Sequence, residues 1–137
     1  MPNFEVFYEG NLRCKAEHIQ SGTTLLTDAP IDNQGKGESF SPTDLLAIAL
    51  GTCMATVMGI EANNLKINLS GTQLHINKVM GILPRRVVEI KVEITIPDEN
   101  FTESQKNKLI EIGINCPVAK SIHPDIYQNI KFNFVKK

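Results

Sequence analysis

The sequence predicts a single α+β domain, residues 1–137, built on a largely antiparallel sheet. Three observations carry that prediction. Short alternating runs separated by turn residues fill the first thirty positions. A long uncharged helical run follows at Leu45–Ile60. A clean period-two run occupies Val88–Ile96, followed by a second helix start.

Phe4, Val6 and Tyr8 alternate with polar residues over Phe4–Glu9, as a strand requires, and Gly10-Asn11 supplies turn chemistry. Arg13–Gln20 reads as a second strand and Thr23–Thr27 as a third, giving a small antiparallel meander. Residues 31–40, IDNQGKGESF, hold two glycines and no periodicity, so they read as a flexible loop, with Glu38 close to the next helix. That helix, Ser41–Asn64, has a complete start. Ser41 can cap free amides, Pro42 suits the first turn, and Asp44 sits three residues after the cap. Sixteen uncharged residues follow, with Cys53 near their middle. A helix apolar all round belongs in a core or a subunit interface.

Beyond the helix, Ile67–Leu69 is a short alternating piece, Thr72–Met80 is strand-like, and Gly81–Pro84 forms a turn. Val88, Ile90, Val92, Ile94 and Ile96 then alternate with mostly charged residues, which predicts one buried and one wet face, with Pro97 closing the strand. Thr102-Glu103-Ser104-Gln105 is a capping box opening a helix to about Gly113. Cys116-Pro117 predicts a short helical turn capped by the cysteine. Ile130, Phe132 and Phe134 mark a final strand.

Composition bounds the function. The 42% apolar and 21% charged fractions are ordinary for a soluble globular protein, and a net charge of −1 offers no field for nucleic acid or anionic lipid. The opening MPNFEVFYEG lacks the basic start and apolar run of a secretory signal, and the uncharged run is shorter than the roughly 20 residues that span a bilayer. A cytoplasmic location is the expectation. Three cysteines (Cys14, Cys53, Cys116) without a CxxC pair, and three histidines (His18, His75, His123) at no zinc spacing, do not predict a metal site. A reducing cytosol disfavours a structural disulfide and permits a transient one.

The thiols are the residues with chemistry to offer. A thiol reacts as thiolate, so something must lower its pKa. Cys53 lies roughly 16 Å along its helix from Pro42, too far for the helix dipole to act. Either it is a small apolar core residue or a cation from elsewhere activates it. Cys116 is better placed, at a helix start with free amides, or it is a modest cap and nothing more. Cys14, Arg13, Glu38 and the histidines all have ordinary structural or surface roles open to them.

SPTDLLAIALGTCMATVM followed some sixty residues later by NCPVAKSI resembles the OsmC/Ohr family of hydroperoxide-reducing proteins, and the resemblance covers essentially the whole chain. It implies an intertwined homodimer with the cysteine helices at its centre and active sites at the subunit interface. It implies that Cys53 is the peroxidatic thiol, Cys116 the resolving thiol, Glu38 the acid of the loop before the helix, and Arg13 the thiolate-stabilising arginine. Cys53 would take the outer oxygen of an organic hydroperoxide, Cys116 would close a disulfide, and an external dithiol would reduce it, with no cofactor, metal, haem or flavin. Leu50, Met54, Val57 and Met58 would give the peroxide site an apolar lining. GESFSPTDL differs from the Gly-Thr-Asn-Pro-type run of the best-known members, which resembles a general OsmC-like branch more than the dedicated organic hydroperoxide branch. A non-enzymatic redox sensor or small-molecule binding module on the same fold is the alternative, and neither reading involves nucleic acid or membrane.

Overall fold

The computed structural model describes residues 1–136 and confirms a mixed α+β fold, with the chain falling into two compact units, Met1–Leu46 and Ala47–Lys137. The strands are β1 (Phe4–Gly10), β2 (Arg13–His18), β3 (Thr24–Asp28), β4 (Gln73–Ile82), β5 (Arg85–Asp98) and β6 (Tyr127–Lys136). The helices are α1 (Pro42–Leu65), α2 (Glu103–Ile114) and α3 (Pro117–Ser121).

In the first unit β1, β2 and β3 form the expected antiparallel meander. Gly10, Asn11 and Leu12 take left-handed backbone angles to make the β1–β2 turn, a conformation that glycine and asparagine tolerate best. β2 stops at His18, two residues short of the predicted end, because the turn closes there: the His18 amide donates to the Thr23 carbonyl at 2.8 Å. The 31–40 loop contains a 3₁₀ turn at Ile31–Asn33 and returns to β3, where the Asp28 amide donates to the Phe40 carbonyl at 2.9 Å. Phe4, Val6 and Tyr8 do share a face, but that face is bare within the chain, with Phe4 62% and Tyr8 66% exposed.

Helix α1 starts as predicted. The Ser41 amide donates to Asp44 Oδ2 at 2.8 Å and the Asp44 amide to Ser41 Oγ at 3.0 Å, a capping box with aspartate in the glutamate position. Its 24 residues exceed the uncharged run, and by length and composition alone the helix could cross a membrane, with mean hydropathy 1.8 over 18 residues. Its buried residues form one stripe, Ala47, Leu50, Gly51, Met54, Met58 and Ala62, at the three- and four-residue spacing of a helix face. Thr52, Thr56 and Ile60 on other faces are exposed.

In the second unit β5 is the central strand, antiparallel to β4 and parallel to β6. The parallel pairing is a difference from the simplest reading, since β6 reaches the sheet by way of α2 and α3 rather than through a hairpin. Ile90, Val92, Ile94 and Ile96 are buried as the alternation requires. Val88 is not in phase. A bulge opposite Val79/Met80 turns Val87 inward instead and leaves Val88 half-buried. Pro97 does not close the strand either: β4 pairs only as far as Thr95, so proline sits where β5 faces β6 alone. Residues 67–69 form no strand and lead instead into the turn where the Thr72 amide meets the Leu69 carbonyl.

The second unit's helices pack where side chains are missing. A Cβ at Gly51 would collide with the Ile76 side chain of β4, which packs on the helix at that point. A Cβ at Gly113 would lie 2.9 Å from Met58 Sδ, so the Met58 side chain of α1 packs on α2 at that glycine. Thr102 and Gln105 form the predicted reciprocal capping box on α2. Leu50 is wholly buried in this core. Leu50→Ala is therefore expected to cost about 2–5 kcal/mol in urea unfolding at fixed protein concentration. Thr102→Ala, which removes only a cap, should cost about 1 kcal/mol.

Candidate active site

Arg13 and Asp28 face each other across β2 and β3. Arg13 Nε donates to Asp28 Oδ1 at 2.7 Å and Nη2 donates to Asp28 Oδ2 at 2.8 Å, a side-on bidentate pair. Glu38 also reaches Arg13, but at 3.2 Å and with 61% of its side chain exposed, whereas Asp28 is 2% exposed. The Glu38 amide donates to Asp28 Oδ2 at 3.0 Å, so one carboxylate binds both the guanidinium and the loop. Hydrogen bonding from Arg13 holds the Asp28 carboxyl below the usual carboxylate range despite its burial, and Asp28 in turn raises Arg13 further above its ordinary value. The Arg13–Glu38 contact is thus the weaker of two. Asp28 was missed because it reads locally as the end of a strand before Ala29-Pro30. Counting outward from the turn at residues 19–23 places it opposite Arg13, and that count was the available signal.

Cys53 and Cys116 belong to the second unit. Cys53 is half-buried midway along α1, and Cys116 is 1% exposed at the cap of α3. The Cys116 sulfur accepts a hydrogen bond from the Ala119 amide at 3.4 Å, the predicted helix-cap role. Burial pushes the Cys116 thiol up; the Ala119 amide opposes that, and the neighbouring Cys53 thiol adds to it. The fold thus makes neighbours of two cysteines 63 positions apart in sequence, both as free thiols. The apolar residues first expected around Cys53 divide. Leu50, Met54 and Met58 are on the buried stripe of α1 and fill the core. Val57 alone joins Ile60, Ile112 and Pro117 in a cleft of about 440 Å³ that opens on Cys116.

Cys14 is half-buried in β2 between Tyr8 and Thr27. His18 and His123 bond within their own turns, to Ser21 and to the Asp125 amide. Among the described residues no three His, Cys, Asp or Glu side chains converge as a metal site. The Arg13–Asp28 pair yields a prediction with a definite sign. Because the native Asp28 carboxyl is depressed, its contribution is complete above the ordinary aspartate value near pH ~4 and is lost as pH falls through the lower native value. The stability difference between the wild type and Asp28→Asn, read by urea unfolding, should be constant above about pH 5 and shrink steadily below about pH 4.

No curated protein matches the chain. A solved structure from Psychrobacter arcticus 273-4, whose name ascribes it to osmotic stress induction and the detoxification response, is 46% identical over 96% of each chain with a TM-score of 0.91. An organic hydroperoxide resistance protein OsmC from Legionella pneumophila shares the fold at 16% identity, over 95% of this chain and 94% of that one, with a TM-score of 0.74. A Vibrio cholerae protein named for organic hydroperoxide resistance, with captopril in one of its active sites, shares it at 14% identity, over 98% and 94%, with a TM-score of 0.73. The family model described as OsmC-like protein matches residues 35–131, which take in the helix with Cys53 and the Cys116-Pro117 turn, and the chain belongs to the OsmC-like family.

Proposed function

We propose that this protein is a thiol-dependent peroxidase that reduces organic hydroperoxides, with Cys53 as the attacking thiol and Cys116 as the resolving one. The observation that carries the reading is the pairing of Cys53 with Cys116 as neighbouring free thiols in a member of this family. Family relatives named for organic hydroperoxide resistance support the substrate class.

The chemistry runs in three steps. The Cys53 thiolate attacks the outer oxygen of the hydroperoxide, the O–O bond breaks, and the alkoxide takes a proton to leave as an alcohol. Cys53 is then a sulfenic acid. The Cys116 thiol condenses with it, forming a disulfide and releasing water. An external dithiol reduces the disulfide and is itself oxidised to a disulfide. Cys116 suits the second step. Its raised thiol keeps it protonated while Cys53 reacts, so the two sulfurs do not compete for the peroxide.

A thiolate at the middle of α1 needs a cation from outside that helix. We assign that role to Arg13 and its orientation chiefly to Asp28, with Glu38 as a secondary, solvent-exposed contact. We further assign a homodimer located in the cytoplasm. Two bare apolar surfaces support the dimer: the Phe4, Val6 and Tyr8 face of β1, and the side of α1 that carries Ile60, 58% exposed.

Two measurements check this. With cumene hydroperoxide and excess dithiothreitol, the wild type should complete many turnovers per chain. Cys53→Ser should consume no peroxide above background, and Cys116→Ser, assayed without dithiothreitol, should consume one equivalent and leave a trappable sulfenic acid. A single equivalent from the wild type would mark a redox sensor, and consumption that survives Cys53→Ser would defeat the peroxidase altogether. Multi-angle light scattering at micromolar concentration should give twice the 15.2 kDa chain mass. A charge placed on the bare face, as in Val6→Asp, should shift the protein toward monomer.

A further inference from the structure

We propose that the tip of the β4–β5 hairpin docks this protein reversibly on anionic bilayers, with Ile82 and Leu83 entering the acyl boundary and Arg85 and Arg86 meeting lipid phosphates. The proposal goes beyond the thiol chemistry and stands without it.

Three observations carry it. The first is shape. β6 begins at Tyr127, opposite Glu89, so Arg85–Val88 have no third strand beside them. The hairpin therefore runs on past the sheet as a two-stranded finger of roughly 13 Å. The second is what the finger presents. Ile82 is 83% and Leu83 90% exposed, more than any other large apolar side chain of the described residues after Met1. Two adjacent aliphatic side chains at the end of a projection gain most where they leave water.

The third observation is charge. Residues 77–88, NKVMGILPRRVV, hold Lys78, Arg85 and Arg86 and no acid. Both arginines are exposed. Arg86 is also fixed in place: its Nη1 donates to the Pro84 carbonyl at 2.8 Å, and a Cβ on Gly81 would lie 2.8 Å from the same nitrogen. One guanidinium is thus held against the turn that bears Ile82 and Leu83. The nearest acid in sequence, Glu89, stands at the root of the finger and accepts a hydrogen bond from Asn129 at 3.0 Å.

This pattern selects the partner. A second copy seated tip to tip would bring four guanidinium groups together, and neither face assigned above to the dimer includes the hairpin. Nucleic acid would engage the cations and leave Ile82 and Leu83 in water. An anionic bilayer, an apolar layer beneath a plane of phosphates, satisfies both. The net charge of −1 supplies no long-range field, so the attraction acts only within a Debye length of the tip, about 8–10 Å.

Flotation of the reduced 137-residue protein tests this. Vesicles of phosphatidylcholine alone are compared, at low ionic strength, with vesicles of equal parts phosphatidylcholine and phosphatidylglycerol. Partitioning should be roughly tenfold stronger on the anionic vesicles, and should fall roughly tenfold in Ile82→Ser/Leu83→Ser and in Arg85→Gln/Arg86→Gln. Arg85→Lys/Arg86→Lys, which keeps the charge, should retain most of it. The chain contains no tryptophan, so Leu83→Trp reports on the tip alone. Its emission should shift to the blue and be quenched by brominated lipid, whereas Gln73→Trp, at the other end of β4, should show neither. Binding indifferent to phosphatidylglycerol, binding that survives Ile82→Ser/Leu83→Ser, or an unquenched Leu83→Trp would overturn the assignment. So would light scattering that finds the serine variant reduced to a monomer, since a second copy would then be what covers the tip. The Leu83→Trp readout decides the matter even where the serine variant fails to fold.

Discussion

The close seating of α1 against β4 is the constraint on which the chemistry of the second unit depends. At Gly51 a side chain would occupy the space of Ile76, so the Ile76 and Leu74 side chains of β4 rest on the bare helix surface there. That contact fixes which residues of an almost uniformly apolar helix turn inward. Leu50, Met54 and Met58 follow Gly51 into the core, and Cys53, two positions on, is carried to the edge of the buried stripe. A helix rotated by one residue would bury the thiol or expose it, because successive residues differ by about 100° around the axis. The second close approach, Met58 against Gly113, draws in the end of α2 and with it the Asn115-Cys116-Pro117 turn. The two thiols are thus carried by elements whose side chains meet at Gly51 and Gly113.

The two cysteines differ in burial and in local partners. Cys116 caps a helix of only five residues and is buried, and burial outweighs the Ala119 amide, so its thiol is held protonated. Cys53 lies far from both ends of its own helix. A guanidinium, unlike an imidazole, is charged throughout the physiological pH range, which suits Arg13 to the role proposed for it. In the first unit Arg13 is held on two of its nitrogens by a buried aspartate, and removing either partner would leave a poorly solvated charge. The acid that seemed important from its place in the loop, Glu38, contributes its backbone amide to Asp28 as well as its carboxylate to Arg13.

Local patterns were legible in the sequence wherever they are decided within a few residues. The Ser41–Asp44 and Thr102–Gln105 caps, the Cys116-Pro117 turn and the alternation of Ile90, Val92, Ile94 and Ile96 all depend on neighbours no more than six positions apart. What escaped depends on distant partners. The bulge that swaps Val87 for Val88, the tolerance of Pro97 and the parallel pairing of β6 are properties of the assembled sheet. Asp28 as the anchor of Arg13 follows from cross-strand register, which a linear reading of Asp28-Ala29-Pro30 does not reveal. The neighbourhood of Cys53 and Cys116 was foreseeable only through resemblance, since nothing in the spacing of the two residues dictates it.

The parallel pairing of β6 with β5 also bears on the order in which the protein can assemble. The first unit is a meander whose strands pair through short turns, so its contacts are local and can form as soon as residues up to Asp28 are available. The second unit cannot complete its sheet that way. Glu89 pairs with Tyr127 and Asp98 with Lys136, so the central strand waits, with one edge open, for a segment nearly forty residues downstream. Long-range parallel pairings carry the entropy of closing the intervening chain and form late. During synthesis, β5 and its row of isoleucines therefore spend the interval between residues 98 and 127 as an unfinished apolar edge, the stage at which this chain is most exposed to chaperones and to mispairing.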